Sequence, residues 1–154
     1  FHENAEPYVT GHARVPMPGI KDIENVLLPV MKEYRYFPKT AELFHGALLG
    51  TPFKKGFPRD RVTYFNCNTE MLPGFLTIAT PGHRPEEVSF YEPTHGLFIS
   101  GDFIIVIQNK VTVNSFVADK SAQLKSLQTL RRFAGIRTIC PGHGHCRKFS
   151  WHDI

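Results

Sequence analysis

The chain has 154 residues, of which 42% are hydrophobic and 13 are phenylalanine, enough to form the core of one domain. No apolar run approaches the ~20 residues of a membrane-spanning helix, so we expect no membrane contact. The net charge is +4, and we interpret the basic clusters at residues 54–61 and 131–132 as solvated surface. Nucleic acid is a disfavoured partner, because these clusters are not interleaved with aromatic residues that stack on bases.

The three cysteines, Cys67, Cys140 and Cys146, are predicted to be free thiols. Their number is odd and no two have CxxC spacing, which argues against a disulfide framework and favours a reducing compartment. We therefore predict a cytoplasmic protein. Cys140 is expected to be buried and inert within a strand, whereas Cys146 is a candidate for an extra metal ligand.

The N-terminal segment has no regular pattern. Residues 1–19 hold several prolines and glycines without periodicity, which predicts a loop. Residues 1–3 are a candidate for the end of a strand. His2 and His12 are expected to be ordinary surface or loop histidines.

Helical patterns follow. Apolar side chains recur at three- and four-residue steps over residues 20–36, which predicts a helix that Pro29 kinks or divides in two. A second short helix is predicted over residues 39–49, with Thr40 as its cap. His45 lies on this helix and is interpreted as packed or exposed rather than as a ligand.

Strand patterns dominate from residue 62 onward. Alternating β-branched and aromatic residues predict a strand at residues 62–67. A turn at residues 92–96 predicts a hairpin and places His95 at the end away from the motifs described below. The other predicted strands lie at residues 76–79, 88–91, 97–99, 111–113 and 136–140, and residues 103–107 continue the apolar pattern without a predicted element.

One longer helix interrupts these strands. It is predicted from Lys120 to about Ala134, with Asp119 as its cap and Gly135 as its stop. Apolar residues at helical spacing predict the buried stripe, with basic residues opposite. The stripe consists of Ala122, Leu124, Leu127, Leu130, Phe133 and Ala134.

Three short motifs, TPGH, SGD and PGHG, place His83, Asp102 and His143 directly after a glycine at the end of a predicted strand. A strand holds its end rigidly, and a glycine lets the backbone turn so that the next side chain points into a common cleft. Two imidazoles and a carboxylate suit zinc, with manganese or iron as alternatives. The competing interpretation is a turn cap and two loop histidines. His145 is interpreted as a non-ligand.

The segment TPGHRPEEVSFYEPTHGLFISGD, followed by CPGHG, resembles the second half of a metallo-β-lactamase-superfamily hydrolase, most clearly over residues 72–145. The resemblance implies an α/β (α+β) fold, the C-terminal part of an αββα sandwich, as a single domain over residues 1–154. It implies that His83 completes a first metal site, that Asp102 bridges two metal ions, and that His143 joins the second site. The implied function is hydrolysis of a small-molecule ester, thioester, lactone or phosphoester by metal-activated water.

One part of the family pattern is missing. Members carry an HxHxDH motif early in the chain, and this sequence has none, so the resemblance identifies no catalytic residue here. We interpret residues 1–154 as the C-terminal part of a longer hydrolase, whose partner is its N-terminal half or a second copy of the chain. Two other functions stay open: a non-catalytic, self-associating protein, and a nucleic-acid-processing member of the superfamily.

The helical segment at residues 20–50 falls where family members often carry a variable insertion that shapes the substrate pocket. Its apolar side chains are candidates for lining such a pocket, although core packing is the favoured interpretation. These residues are Phe37, Leu43, Phe44 and Leu48.

Overall fold

The structure is a computed structural model, and it describes residues 1–13, 21, 23–33, 35, 59–67 and 69–154. The predicted helix at residues 39–49 lies outside the described residues, together with His45 and the candidate pocket side chains. In the described part of the chain, no helix combines the length and the apolar composition needed to cross a bilayer.

Among the described residues, two α-helices lie in the N-terminal part and one near the C-terminus: α1 (Glu6–Val9), α2 (Leu28–Glu33) and α3 (Lys120–Leu130). A π-helical turn, Ile23–Leu27, leads directly into α2. Short 3-10 turns complete the helical structure at Glu3–Ala5, Arg59–Arg61 and Trp151–Asp153.

The described strands form two sheets. Their bounds are β1 (Leu76–Ala79), β2 (Val88–Glu92), β3 (Leu97–Gly101), β4 (Ile104–Ile107), β5 (Lys110–Val113), β6 (Thr138–Pro141) and β7 (Arg147–Lys148). The larger sheet has the order β1-β2-β3-β6-β7, and β4-β5 is a separate hairpin. In the larger sheet only β3 and β6 pair in parallel. This is a mixed α/β architecture.

The core lies where α3 and the β4-β5 hairpin meet the larger sheet. Phe98 of β3, Ile139 of β6, Ile104 of β4 and Leu130 of α3 are all fully buried within one apolar cluster. Burying side chains of this size stabilises the fold by about 1.5–3 kcal/mol each. The core therefore holds β3 and β6, the two strands that precede Asp102 and His143.

Several predicted elements are confirmed. The strand at residues 76–79 has the predicted bounds, and the 88–91 and 97–99 strands form the predicted hairpin with one or two further residues each. Asp119 caps α3, since its side chain accepts a hydrogen bond from the Ala122 N–H. The helical segment around Pro29 is divided into a π-helical turn and α2, as a proline without an N–H favours.

Other predictions are wrong. Residues 3–9 are helical rather than a loop, and residues 62–67 contain one isolated bridge, His2 to Phe65, rather than a strand. Phe1 and Glu3 bond to Phe65 across that bridge, so the pairing of residues 1–3 is real but too short to count as a strand.

The C-terminal helix also differs from its prediction. It ends at Leu130, because the N–H groups of Arg132 and Phe133 bond to carbonyls three residues back and so close tighter turns. Leu124, placed in the buried stripe by its spacing, is 50% exposed. Gln123 and Ser126 are buried instead, because both bond to backbone carbonyls beneath the helix. The buried face is thus partly polar, which hydrophobic spacing does not reveal.

The prediction of three free thiols is wrong. Cys140 and Cys146 form a disulfide, and Cys67 is the free cysteine among the described residues. The loop between β6 and β7 turns back on itself, which brings two cysteines six residues apart into contact. A disulfide sulfur has no thiolate to offer, so Cys146 is not a metal ligand in this state. The argument for a reducing compartment loses its support, and the cytoplasmic location stays a prediction.

Candidate metal centre

The three predicted ligands lie at one edge of the larger sheet. Strand β1 runs antiparallel to β2 and β2 antiparallel to β3, while β3 and β6 are parallel. Strands β1, β3 and β6 therefore all end at the same edge. The residues that follow these ends include His83, Asp102 and His143, so the topology brings the three motifs together.

His83 is held by its imidazole and by its loop. Its Nδ1 atom lies 2.6 Å from the Phe116 carbonyl oxygen. A carbonyl can only accept, so Nδ1 carries the proton and Nε2 has the free lone pair. That Nε2 atom faces the Asp102 carboxylate, 3.8 Å from Oδ2. The imidazole is thereby fixed in the tautomer that binds a metal through Nε2.

Asp102 stands between the two histidines. Its Oδ2 faces His83, and its Oδ1 lies 3.6 Å from the His143 Nε2. The carboxylate follows Gly101, whose φ of +55° is the left-handed conformation that glycine adopts without strain. Each carboxylate oxygen is therefore aimed at a different imidazole.

His143 is the most open of the three, with half of its side chain exposed. Its carbonyl accepts a hydrogen bond from the Val106 N–H of β4, at 2.9 Å. The Gly142 N–H donates to the Gly101 carbonyl at 2.7 Å, which ties the PGHG loop to the SGD turn. A Cβ at Gly142 would collide with the Asp102 Oδ1 atom, so glycine is needed for this close approach.

A buried polar network supports the site from below. Asn114 donates through Nδ2 to the Asp102 carbonyl at 2.9 Å, and its Oδ1 accepts from the Phe116 N–H at 3.0 Å. Gln123 of α3 donates to the Asn114 carbonyl at 2.5 Å. Asn114 thus holds Phe116 in place, and the Phe116 carbonyl oxygen in turn orients His83. This network couples His83, Asp102 and the start of α3.

Glu87 lies against the SGD turn, and its Oε1 accepts a hydrogen bond from the Asp102 N–H at 2.9 Å. Burial raises the pKa of Glu87, and repulsion from the Asp102 carboxylate raises it further, to about 8. Hydrogen bonds from backbone groups only partly offset these effects. The Glu87 carboxyl is therefore mostly protonated at neutral pH.

The donor set fits part of a metal centre. Ligand atoms around a tetrahedral ion with bonds of ~2.0–2.1 Å lie ~3.3–3.4 Å apart. The observed separations of 3.8 and 3.6 Å are slightly longer, and no group of three or more donors is fully converged among the described residues. The pairwise geometry still points to a cation, because an imidazole lone pair that faces a carboxylate leaves two acceptors with no hydrogen between them. A cation would satisfy both.

The other histidines that the structure describes lie elsewhere or are open to solvent. His95 is in the hairpin turn, where it contacts Glu92 at 2.9 Å, and His12 contacts Thr10. His145 is exposed. His2 is buried rather than at the surface, with its Nε2 atom 3.6 Å from the Cys67 sulfur, so its prediction as an ordinary histidine needs this correction. Burial raises the pKa of the Cys67 thiol.

Three supporting residues escape sequence analysis. Asn114, Gln123 and Glu87 are single polar residues beside or within regular elements, with no motif around them. Only Glu87 carries a signal, since a charged residue directly before a buried strand is unusual. The other two become visible only when β5 and α3 are brought onto the ligand loops.

Comparison with known proteins gives an independent result. The sequence profile described as "Metallo-beta-lactamase superfamily" matches residues 17–143. No curated protein matches the chain. The matched range covers most of the chain and includes all three predicted ligands.

One solved structure with a TM-score above 0.5 has the same fold. ST1585 from Sulfolobus tokodaii, described as an archaeal metallo-β-lactamase superfamily protein, is similar over 96% of this chain and 52% of its own, with a TM-score of 0.53 and 16% identity. TTHA1623 in a di-iron-bound form is 26% identical over 79% of this chain and 64% of its own, with a TM-score of 0.45. DIM-1 metallo-β-lactamase is 15% identical over 77% and 55%, with a TM-score of 0.45.

The chain thus spans about half to two thirds of the length of these solved proteins. The profile match over residues 17–143 and the mixed α/β fold together confirm the resemblance found in the TPGH, SGD and PGHG motifs. The chain belongs to the metallo-β-lactamase superfamily.

Proposed function

We propose that this chain contributes His83, Asp102 and His143 to the metal centre of a hydrolase. The observation that carries the proposal is the position of Asp102, whose two carboxylate oxygens face two different imidazole Nε2 atoms at the edge of the sheet. Superfamily members are typically metal-dependent hydrolases, which supports the same reaction class. The substrate class we propose is a small ester, thioester, lactone or phosphoester.

The three residues have separate roles in the proposed metal centre. His83 and one oxygen of Asp102 define one metal position, and His143 and the other oxygen define a second. A bound divalent ion would polarise the substrate oxygen and lower the pKa of a bound water to ~7. The Asp102 carboxylate would offset the repulsion between two cations, and the imidazoles of His83 and His143 would set the geometry. We propose zinc first, with manganese and iron as alternatives, because His/Asp sites accept all three.

Three side chains are fewer than two such ions require, since a catalytic zinc site alone uses three protein ligands and a water. We therefore propose that activity needs ligands beyond these three, supplied by a longer polypeptide or by a second copy of the chain. Substrate would approach from the side of His143, which is half exposed, and of Asp102, whose side chain is 34% exposed.

The test is metal binding followed by hydrolysis. The purified protein would be stripped, reloaded with zinc, manganese or iron, and analysed for bound metal. Hydrolysis would then be assayed with the remaining ligands supplied, by the longer polypeptide or by a dimer of the chain, on 4-nitrophenyl esters, a thioester, a lactone and bis(4-nitrophenyl) phosphate. Asp102→Ala should abolish metal binding, whereas Asp60→Ala, at an exposed carboxylate in the Arg59–Arg61 turn, should leave it unchanged. Equal metal content in wild type and Asp102→Ala would refute the proposal.

A second candidate, self-association without catalysis, is supported by a separate observation. Among the strands that the structure describes, β1 is at one edge of the larger sheet, and Met71, Leu72 and Leu76 in and before it are 45%, 40% and 52% exposed. An edge strand next to apolar side chains favours pairing with another chain. A tight dimer by sedimentation without bound metal would favour this candidate. The nucleic-acid alternative rests on charge alone.

A further inference from the structure

Glu87 belongs to the loop that carries His83. The Thr80 N–H donates to the Glu87 carbonyl at 2.9 Å, which closes the loop at the ends of β1 and β2. The Glu87 N–H donates to the Arg84 carbonyl at 3.3 Å, which tightens the segment directly after His83. The main chain of Glu87 therefore helps to define the TPGH loop.

The side chain of Glu87 reaches the other ligand turn. Its Oε1 accepts from the Asp102 N–H at 2.9 Å, and a Cβ placed at Gly101 would lie 3.4 Å from the same oxygen. The SGD turn thus packs directly against the carboxyl group. The second oxygen, Oε2, is buried without a hydrogen-bond partner among the described residues. Burying Oε2 without a partner costs free energy, so this arrangement requires that the hydrogen bond made by Oε1 outweigh that cost.

We propose that Glu87 is a positioning residue that couples the His83 loop to the Asp102 turn and so fixes the distance between these two ligands. The inference rests on the proposed function of the site as a metal centre. It adds a residue that touches no substrate or metal and acts through the backbone of Asp102.

The SGD turn needs such a positioning residue because its backbone is conformationally free. Gly101, at φ +55°, gives the chain freedom before Asp102, and the Asp102 side chain is 34% exposed, so packing alone does not hold it. The Glu87 carboxyl satisfies the Asp102 N–H and limits that freedom. Residues that orient metal ligands in this way typically change metal affinity by 10–100-fold when they are removed.

The experiment compares three variants. Glu87→Ala removes the acceptor, Glu87→Gln keeps an oxygen acceptor without the carboxyl, and Glu86→Ala is the matched control. Glu86 is the adjacent carboxylate, and none of the hydrogen bonds of the described residues joins it to Asp102. Zinc affinity would be measured by competition with a chromophoric chelator. Amide hydrogen exchange of Asp102 would be measured on the metal-free protein.

We expect Glu87→Ala to weaken zinc binding 10–100-fold and to speed exchange of the Asp102 amide. Glu87→Gln should stay within about threefold of wild type, and Glu86→Ala should match wild type in both measurements. Wild-type affinity and exchange in Glu87→Ala would overturn the inference. If Glu87→Ala does not fold, the test uses the wild type and Glu87→Gln instead. Fast hydrogen exchange of the Asp102 amide in the wild type overturns the inference.

Failure of the two proposals has different signatures. A wild type that binds no metal while its Asp102 amide is protected through Glu87 refutes the metal centre, and with it the role of Glu87 toward a metal. A wild type that binds zinc with no difference between Glu87→Ala and Glu86→Ala refutes only the role of Glu87.

Discussion

Replacing Asn114 with alanine should destabilise the fold and disorder the candidate site together. Asn114 is 3% exposed, and its side chain pairs the Asp102 carbonyl and the Phe116 N–H. Asn114→Ala leaves both groups without a partner, at about 1–3 kcal/mol each. The upper sum is about 6 kcal/mol, but both bonds are only partly buried, so water recovers part of it. We expect a loss of about 2–4 kcal/mol in the free energy of unfolding.

The assay is urea denaturation followed by circular dichroism, with a thermal scan beside it. For a chain of this size, each kcal/mol lowers Tm by ~2–4 °C, so the expected shift is about 5–15 °C. Thr112→Ala is the control, because Thr112 is on the neighbouring strand β5, is exposed, and its hydroxyl donates to the Val113 carbonyl next to it. It should change stability by less than about 0.5 kcal/mol.

A second measurement separates the site from the fold. In folded Asn114→Ala the Phe116 carbonyl is less well placed, so the His83 Nδ1–H loses its acceptor. The His83 Nδ1–H proton should then exchange with solvent faster in NMR spectra than in the wild type and in Thr112→Ala. A cost below about 1 kcal/mol in the free energy of unfolding, with an unchanged exchange rate of that proton, would refute the reasoning that Asn114 holds the site together.

Three further predictions concern other parts of the chain. Desolvation raises the pKa of Glu92, but hydrogen bonds from His95 and Thr94 outweigh it and lower the pKa to about 2. The contribution of Glu92 to stability is therefore present above pH ~4.5 and is lost as the pH falls toward 2. The Tm difference between wild type and Glu92→Gln should shrink over that range, and a constant difference would contradict this. Asp119→Ala should lower the free energy of unfolding by about 1 kcal/mol, through loss of the cap on the Ala122 N–H, and a neutral result in urea denaturation would show that the cap is not needed. Gly82→Ala should lower the free energy of unfolding by about 1–3 kcal/mol in the same assay, because a Cβ there would lie 2.7 Å from the Gln123 Cβ. A wild-type denaturation midpoint would mean that the loop can move away from α3.

The sequence predicts the motif-bearing half of the fold well, for a physical reason. Strands β1, β2 and β3 are short apolar runs separated by Pro, Gly and Asp, so both their type and their ends are encoded locally. The resemblance in the TPGH, SGD and PGHG motifs then adds the order in space, which local patterns do not contain. The meeting of His83, Asp102 and His143 at one edge follows from that order.

What the sequence does not predict depends on contacts between distant segments. The partner of Cys140 is Cys146, and their pairing depends on the reversal of the chain between β6 and β7, which no spacing rule specifies. The burial of Gln123 depends on a carbonyl supplied by another element. Residues 62–67 have the composition of a strand, but in the described residues only Phe65 pairs, because a strand also needs a neighbour along its length.

The parallel pairing of β3 with β6 has a consequence for how the protein folds. The β1-β2-β3 meander joins neighbours in sequence, so it forms from local contacts and presents His83 and Asp102 early. We expect His143 to arrive later, because the pairing of β6 with β3 closes a long loop that contains the β4-β5 hairpin and α3. At the proposed metal centre, a metal ion in the folding mixture would therefore meet two of the proposed ligands first and gain the third last, so that its tight binding would mark the end of folding rather than its beginning.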